Sequence, residues 1–276
     1  MTKACVIGWP IAHSRSPLIH TYWLKALGID GTYTKVPVEP QGIEAFLRSL
    51  ADRGLAGCNV TVPHKEAAFR TADEKHASAV AVGAANTLWL EGGRLHAANT
   101  DTYGFMTYLA SRAPRWQQRD APVSILGAGG AARAIVYGFL EAGVSQVRVF
   151  NRSRNRAEDL ARHFGSKVSV YDWSERSTGS RDASVLVNTT SVGMKNDGTL
   201  GVDVRVLHRD CVVADIVYVP LQTGLLRDAA AAGLTTVDGL GMLLHQAVPG
   251  FERWFGQRPT VTNDLYKLIA ADVEAS

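Results

Sequence analysis

The sequence predicts an α/β protein built from two domains. Strand-like and helix-like segments alternate over roughly the first hundred residues, which is typical of a parallel α/β sheet. A polar segment with two prolines, SRAPRWQQRDAP at residues 111–122, interrupts the alternation, and a second series follows it. The predicted domains are residues 1–101 and 102–239, and helices at about 240–276 are expected to pack back on the first domain and complete it.

The elements of the first domain follow from periodicity and from Gly and Pro breakers. In order they are a strand KACVIG, a helix SPLIHTYWLKALG, a strand GTYTKVPV, a helix QGIEAFLRSLADRG, a strand AGCNVTV and a hairpin NTLWLEGGRLHAAN. Alternation along the third of these strands predicts that Val60 and Val62 face the core. Asn59 and Thr61 then share the opposite face.

The second domain repeats the strand-and-helix alternation after the polar segment. Its predicted elements are VSILG, GAARAIVYGFLEAG, QVRVFN, SRNRAEDLARHFG, ASVLVNTTS, CVVADIVY, LQTGLLRDAAAAG and TTVD. The tail contains two helical patterns, GMLLHQAVPGFERWFG and VTNDLYKLIAADV, and no further strand. This order predicts a doubly wound, Rossmann-type sheet followed by the helices that return to the first domain.

Composition excludes several classes of protein. The formal net charge of +3 is too small to indicate a nucleic-acid partner. No apolar run approaches the ~20 residues that a transmembrane helix needs. The three cysteines are odd in number and widely spaced, which predicts a reducing, cytoplasmic location, and the eight histidines form no metal-binding motif. A monomer and a homodimer fit this composition equally well.

The segment VSILGAGGAARA carries a dinucleotide-binding pattern. Gly127, Gly129 and Ala132 match G-x-G-x-x-[GA], between an apolar strand and an amphipathic helix. The first glycine permits a tight turn, the second lets the pyrophosphate approach the backbone, and the alanine lets the helix pack closely. A purely structural turn is the alternative, and the strand–turn–helix–strand context favours the nucleotide site.

The end of the following strand indicates which dinucleotide binds. An NAD site usually has Asp or Glu there to bind the ribose 2′-hydroxyl, whereas this chain has Asn151, Arg152, Ser153 and Arg154. Guanidinium groups pair well with a phosphate dianion, so we predict NADP with its 2′-phosphate held by the two arginines. The alternative is a solvated helix start at which Asn151 or Ser153 is an N-cap.

Polar residues follow the strands of the first domain. Lys65 comes after the third strand, and ligands of open α/β sheets bind at the carboxyl ends of strands. Ser14 and Ser16 are spaced so that their hydroxyls point the same way in an extended segment. Asp101 precedes an apolar helix. Each also has a structural interpretation: an exposed lysine at a helix start for Lys65, and helix N-caps for Ser16 and Asp101.

Taken together, nine segments in order resemble the shikimate dehydrogenase family nearly end to end. They are GWPIAHSRSPLIH, GCNVTVPHK, VGAANTL, NTDTYGF, GAGGAAR, NRS, NTTSVGM, YVPLQT and DGLGMLLHQA. Such enzymes use NADPH to reduce the ketone of 3-dehydroshikimate to shikimate, reversibly, on the chorismate route to aromatic amino acids. The resemblance therefore implies a small-molecule substrate, NADP, and a substrate-binding domain ahead of a Rossmann-type NADP-binding domain.

The resemblance also implies roles for individual residues. Lys65 and Asp101 correspond to the catalytic pair, and Ser14 and Ser16 to the residues that hold the substrate carboxylate. The other implied substrate-binding residues are Asn59, Thr61, Asn86, Tyr218 and Gln246. The implied NADP-binding residues are Gly127, Ala128, Gly129, Gly130, Ala131, Asn151, Arg152, Ser153, Arg154, Thr189, Ser191, Ile216, Gly239 and Met242.

Two alternative functions remain open at this point. A quinate dehydrogenase with broader substrate or NAD use would share the fold, and the arginines after the second strand of the nucleotide domain argue against NAD. A non-catalytic dinucleotide sensor would also share the fold, since fold alone does not give function. Such a sensor is expected to lose Lys65 or Asp101, and both are present.

Overall fold

The chain is described here by a computed structural model that covers residues 1–275. It forms two compact units. The first comprises Met1–Thr102 and Leu244–Ile269, and the second comprises Tyr103–Leu243 and the residues from Ala270 onward. Every helix within residues 1–275 is too short or too polar to cross a lipid bilayer.

Regular elements account for most of both units. The strands are β1 Thr2–Gly8, β2 Gly31–Pro37, β3 Gly57–Val60, β4 Glu74–Lys75, β5 Thr87–Glu91, β6 Arg94–Ala98, β7 Val123–Leu126, β8 Val147–Phe150, β9 Val168–Tyr171, β10 Val185–Asn188, β11 Val212–Asp215 and β12 Thr235–Val237. The helices are α1 Ser16–Ala26, α2 Ile43–Arg48, α3 Lys65–Thr71, α4 Ala77–Val82, α5 Asp101–Arg112, α6 Gly130–Glu141, α7 Arg154–Phe164, α8 Gly224–Ala231, α9 Gly239–Phe255 and α10 Asn263–Glu274.

The sheet of the first unit has the order β2-β1-β3-β5-β6-β4. Strands β1, β2 and β3 are parallel, as strands joined by helices should be. Strands β5 and β6 form an antiparallel hairpin that pairs with β3, so the sheet is mixed. The predicted hairpin turn is confirmed, because Gly92 and Gly93 both have the positive φ that a tight turn needs.

The C-terminal helices pack on this first sheet, as predicted. Trp254 of α9 lies among buried apolar residues of β1, β2 and β5, and its indole N–H donates a hydrogen bond to the carbonyl of Leu88 at 2.9 Å. Trp23 of α1 donates to the carbonyl of Thr260 at 3.0 Å. The core of this unit therefore includes residues from both ends of the chain.

The sheet of the second unit has the order β12-β11-β10-β7-β8-β9, and all its paired strands are parallel. Counted from β7, this is the 3-2-1-4-5-6 order of a doubly wound dinucleotide-binding sheet. The prediction of a Rossmann-type domain is therefore confirmed. The order reverses between β7 and β10, and ligands of such sheets bind outside the carboxyl ends of the strands at that point.

The third predicted strand is shorter than expected, and one core prediction is wrong. The strand β3 ends at Val60, and the chain turns back at Thr61, whose carbonyl accepts a hydrogen bond from the amide of His64. Val62 therefore lies outside the sheet and is 70% exposed, although alternation placed it in the core. Asn59 and Val60 are both buried, because both faces of this central strand are covered.

Candidate active site

Lys65 and Asp101 form an ion pair in the first unit. Lys65 is the first residue of α3 and Asp101 the first residue of α5, so both side chains extend from helix starts beside the carboxyl ends of strands. The Lys65 Nζ donates to Asp101 Oδ2 at 2.6 Å, and the two side chains are 30% and 14% exposed. Partial burial excludes much of the competing water while leaving the ammonium accessible to a ligand.

Asn86 holds the carboxylate of this pair in place. Its Nδ2 donates to Asp101 Oδ1 at 2.8 Å and lies 3.5 Å from Gln246 Oε1. Its Oδ1 accepts the amide N–H of Thr100 at 2.8 Å, which fixes the orientation of the side-chain amide. The amide of Asp101 donates to Asn99 Oδ1 at 3.0 Å, so a side chain also caps the start of α5.

Ser14 and Ser16 lie side by side on the turn between β1 and α1. The amide of Ser16 donates to Ser14 Oγ at 3.3 Å. Ser16 is buried at the first position of α1 and Ser14 is partly buried, so Ser16 does not act as the N-cap that one interpretation predicted. Lys35, which sequence analysis missed, donates to the carbonyl of Ala12 and ties this turn to β2.

Asn59 forms hydrogen bonds within the protein through both ends of its side-chain amide. Its Oδ1 accepts from the hydroxyl of Tyr33 at 2.6 Å, and its Nδ2 donates to the carbonyl of Asn86 and to Thr87 Oγ1, both at 3.1 Å. These bonds use both amide protons, so Asn59 can offer a ligand no further donor. Alternation along the strand predicts which face Asn59 occupies, but it does not tell whether the side chain bonds other protein groups or a ligand.

His20 is a fully buried imidazole behind this bridge. It is 0% exposed, and neither ring nitrogen forms a hydrogen bond with any group of residues 1–275. Its ring stacks on Tyr33 with centroids 3.8 Å apart and planes 7° apart. Desolvation lowers the pKa of His20 to about 3, and the nearby Asn59 amide opposes this shift only in part. The His20 side chain is therefore a neutral imidazole that packs against the ring of Tyr33.

Replacing His20 with Phe is expected to remove a specific loss of stability in acid. The unfolded chain takes up a proton below about pH 6.5 and the folded chain does not, so His20 costs roughly 1.4 kcal/mol of unfolding free energy per pH unit as the pH falls from there. Urea unfolding of wild type and His20→Phe from pH 8 to pH 4.5 measures the difference, in which other groups cancel. Parallel curves would contradict the neutral-imidazole interpretation.

The glycine-rich turn of the second unit has the predicted shape. Gly127 follows β7 with a φ of +109°, and a Cβ at this position would lie 2.7 Å from Thr189 Oγ1. The Thr189 hydroxyl in turn donates to the carbonyl of Leu126 at 2.7 Å. Glycine is therefore required at position 127 both by the backbone angle and by close packing.

Beyond this turn, the start of α6 is open. Within the described part of the chain, a Cβ added at Gly129 or Gly130 would meet no atom within 4 Å, and no side chain caps the helix. Ala132 is fully buried, as close packing of the helix on the sheet requires. The N–H groups and the positive end of the helix dipole are therefore available to a phosphate. Ala128 and Ala131 flank this opening and are partly buried.

The two predicted phosphate-binding arginines differ in their partners. Arg154 is the first residue of α7, and it bonds Glu158 Oε1 at 2.9 Å and Asp172 Oδ1 at 2.7 Å. Arg152 is exposed, and no carboxylate among residues 1–275 pairs with it. Ser153 is the N-cap residue, and Asn151 Nδ2 donates to its carbonyl at 2.7 Å. The segment is thus ordered locally and still carries an uncompensated cation.

Three further residues that were predicted to bind NADP follow β11 and β12: Ile216, Gly239 and Met242. The amide of Ile216 donates to the carbonyl of Asn188 at 3.1 Å. A Cβ at Gly239 would collide with the carbonyl of Ile216, so these two residues are in close backbone contact. Met242 follows in the first turn of α9 and is partly buried, as are Ile216 and Tyr218. Ser191 is exposed on the segment after β10.

Fold and site together define a class of protein. A doubly wound sheet with an open glycine turn binds a dinucleotide, and a lysine–aspartate pair can exchange a proton with a carbonyl or hydroxyl group. Residues 1–275 contain no group of three or more His, Cys, Asp or Glu side chains that could hold a metal ion. The class is a dinucleotide-dependent oxidoreductase.

Comparison with known proteins identifies the family. Residues 6–88 match the shikimate dehydrogenase substrate binding domain, residues 109–195 the shikimate/quinate 5-dehydrogenase model, and residues 239–262 the shikimate 5′-dehydrogenase C-terminal domain. The chain is 54% identical to the NADP(+)-type shikimate dehydrogenase of Brucella canis over 98% of this chain and 94% of that one. The chain belongs to the shikimate dehydrogenase family.

Solved structures agree with this assignment. The shikimate 5-dehydrogenase of Thermus thermophilus, solved with NADP(H) and shikimate, has a TM-score of 0.87 at 34% identity and covers 99% of this chain and 100% of its own. The quinate dehydrogenase of Corynebacterium glutamicum, solved with NAD, has a TM-score of 0.89 at 29% identity, with 98% and 99% covered. The two-domain fold is therefore shared by enzymes with different substrates and cofactors.

Proposed function

We propose that this chain catalyses the reversible, NADPH-dependent reduction of 3-dehydroshikimate to shikimate. The observation that carries the proposal is the Lys65–Asp101–Asn86 cluster, with a 2.6 Å ion pair and a 2.8 Å amide contact, in a unit that also presents Ser14 and Ser16. Identity of 54% to an NADP(+)-type shikimate dehydrogenase over 98% of the chain supports shikimate as the substrate.

The residues of the first unit would hold the substrate through its polar groups. The hydroxyls of Ser14 and Ser16 can both donate to one carboxylate. The remaining residues of this unit proposed to line the ring are Thr61, Asn86 and Gln246. Asn59 would act indirectly. Its hydrogen bonds to Tyr33, the carbonyl of Asn86 and Thr87 hold in place the strand ends that carry the proposed ligand contacts.

Lys65 and Asp101 would act together on the reacting oxygen. The chemistry that NADPH would supply here, when bound, is a hydride for the ketone carbon. The oxygen of that carbonyl then gains negative charge and needs a proton, and the Lys65 ammonium provides both positive potential and a proton. Asp101 holds the ammonium in place through its Oδ2, while Asn86 holds the other carboxylate oxygen, so the pair has little freedom to turn away.

The second unit fits a dinucleotide phosphate. The open start of α6 after Gly127 would receive the pyrophosphate, since a Cβ at Gly129 or Gly130 would point into unfilled space. Asn151 to Arg154 would receive the adenosine 2′-phosphate, with Arg152 as the main contact. Thr189 would support the glycine turn, and Ile216, Gly239 and Met242 the nicotinamide half.

Replacing Arg152 with Ala should weaken NADPH binding more than replacing Arg154. Loss of a charge-assisted bond to the 2′-phosphate is expected to raise KM for NADPH by about 10-fold or more, with NADH kinetics unchanged. Arg154→Ala is the matched control. Its guanidinium is 56% exposed and already bonded to Glu158 and Asp172, so an effect of about fivefold or less is expected. Equal effects of the two variants would contradict this division of roles.

Initial rates test the proposed function directly. Purified protein is assayed with NADP and NAD against shikimate and quinate in a two-by-two design. We expect a dominant rate with NADP and shikimate. A dominant rate with NAD and quinate would overturn the substrate and cofactor while keeping the fold. No rate with any pair, in folded protein, would favour a non-catalytic dinucleotide sensor.

We also propose a cytoplasmic location, where the NADPH pool is kept reduced. The three cysteines, Cys5, Cys58 and Cys211, are all buried free thiols, which suits a reducing compartment. A monomer or a homodimer remains the expected assembly, and light scattering of the purified protein distinguishes the two.

A further inference from the structure

A buried carboxylate lies at the end of β11 in the second unit. Asp215 ends the strand VVAD, all four residues of which are buried, and it is directly opposite Asn188 at the end of β10 in the parallel ladder. Only 1% of Asp215 is exposed. No Lys or Arg among residues 1–275 forms an ion pair with it, so hydrogen bonds alone stabilise its charge.

Three donors converge on this carboxylate. Its Oδ1 accepts from Asn188 Nδ2 at 2.8 Å and from the amide of Val217 at 3.0 Å. Its Oδ2 accepts from Thr223 Oγ1 at 2.7 Å. Desolvation raises the pKa of Asp215 to about 6, and these three donors oppose the shift. Because burial of an ionised group is unfavourable, we expect this aspartate to have a structural or functional role.

The donors belong to three different segments. Asn188 Oδ1 also accepts the amide and the hydroxyl of Thr190, at 3.0 and 2.7 Å, which fixes the segment after β10. Val217 lies on the segment after β11, and Thr223 is the N-cap of α8. One carboxylate therefore anchors the segment that carries Thr189 and the segment that carries Ile216.

We infer that Asp215 is a positioning residue for hydride transfer: through the amide of Val217 it fixes the segment assigned to the nicotinamide half of NADP, and through the side chain of Asn188 it fixes the segment that supports the glycine turn. The inference rests on the proposed function for its catalytic consequence. Because Asp215 is only 1% exposed, its proposed role is exerted through its hydrogen-bond partners. Thr189 connects the segment after β10 to the glycine turn, whereas the arginine segment lies at the end of β8 and would hold the 2′-phosphate separately.

The test compares two replacements of Asp215 with a control. In Asp215→Asn, the new amide oxygen can accept from Asn188 and Val217 while its N–H donates to the Thr223 hydroxyl, so the three connections can survive. Asp215→Ala removes all three. Val149→Ala, a buried truncation in β8 away from these segments, is the control for destabilisation alone. Thermal melts establish that each variant is folded at the assay temperature.

Three readouts separate positioning from mere stability. Asp215→Ala is expected to lower kcat by ~10²-fold, because a reacting group displaced by about 1 Å costs that much, and Asp215→Asn should recover most of the loss. With NADPH deuterated at the transferred position, the isotope effect on kcat should rise in Asp215→Ala. The fluorescence enhancement of bound NADPH should fall while its Kd changes little, since the arginine segment is intact.

Other outcomes distinguish failure of the positioning role of Asp215 from failure of the proposed function. If Asp215→Ala and Val149→Ala show the same kcat, isotope effect and NADPH fluorescence, Asp215 is only structural and the inference is overturned. If Asp215→Ala is unfolded, Asn188→Ala, which removes the donor that ties the segment after β10 to the carboxylate, replaces it, and wild-type fluorescence and kcat in that variant overturn the inference. If wild type turns over no substrate yet Asp215→Ala still loses NADPH fluorescence, the proposed function has failed and the positioning role stands.

Discussion

Lys65→Met is expected to lower kcat by ~10² or more while leaving the fold intact. The substitution keeps the length of the side chain but removes the ammonium that would donate a proton and face the developing negative charge. It also leaves the Asp101 carboxylate with Asn86 as its remaining side-chain donor. Asp101→Asn is expected to lose a similar factor, because the ammonium then has no charged partner to orient it.

The design of this experiment separates chemistry from binding. Arg70→Met removes another cation from α3, at a side chain that is 70% exposed, and should leave kcat unchanged. The dissociation constant of shikimate, measured by protein fluorescence, should change less than kcat in both active-site variants if their loss is in the transition state. Near-normal kcat in Lys65→Met or in Asp101→Asn would remove that residue from the proposed acid–base pair.

Much of the fold was predictable because its signals are local. The turn at Gly127 needs a positive φ, and the helix after it needs a small residue at 132, so the dinucleotide pattern could be identified without tertiary information. The hairpin at Gly92 and Gly93 and the strand-and-helix order of the second unit were local in the same sense. The short helix α4 and the strands β4 and β9 were missed, because each is at most six residues long and too short for its period to stand out.

The candidate site was only partly predictable, because its geometry depends on side chains far apart in sequence. Local sequence features pointed to Lys65 and Asp101 separately and the family resemblance named them as a pair, but only the fold shows their 2.6 Å contact. Asn59 was expected to face a ligand, yet Tyr33 and the loop at Asn86 use its amide. Asp215 was overlooked, although an aspartate at the end of a wholly apolar strand is a signal that could have been used.

Gly57→Ala should be among the most destabilising single substitutions in the first unit. A Cβ at this position would overlap the backbone carbonyl of Leu88 and the indole Nε1 of Trp254. The carbonyl cannot move away easily, because antiparallel pairing of β3 with β5 fixes Leu88 opposite Cys58. The Trp254–Leu88 hydrogen bond, 2.9 Å long, would break or stretch. Overpacking and a lost buried bond together predict a loss of about 3 kcal/mol or more in unfolding free energy.

A second glycine provides the matched control for this prediction. Gly42 has a φ of −95°, and the nearest atom to an added Cβ there is 3.9 Å away. Gly42→Ala should therefore change the unfolding free energy by about 0.5 kcal/mol or less in urea titrations of the same unit. If Gly57→Ala unfolds at the same urea concentration as Gly42→Ala, the contact between α9 and the start of β3 is looser than described. Trp254 of α9 is one of the two groups that leave no room for the added methyl group. A large loss of stability in Gly57→Ala alone would therefore mean that α9 is an integral part of the first unit.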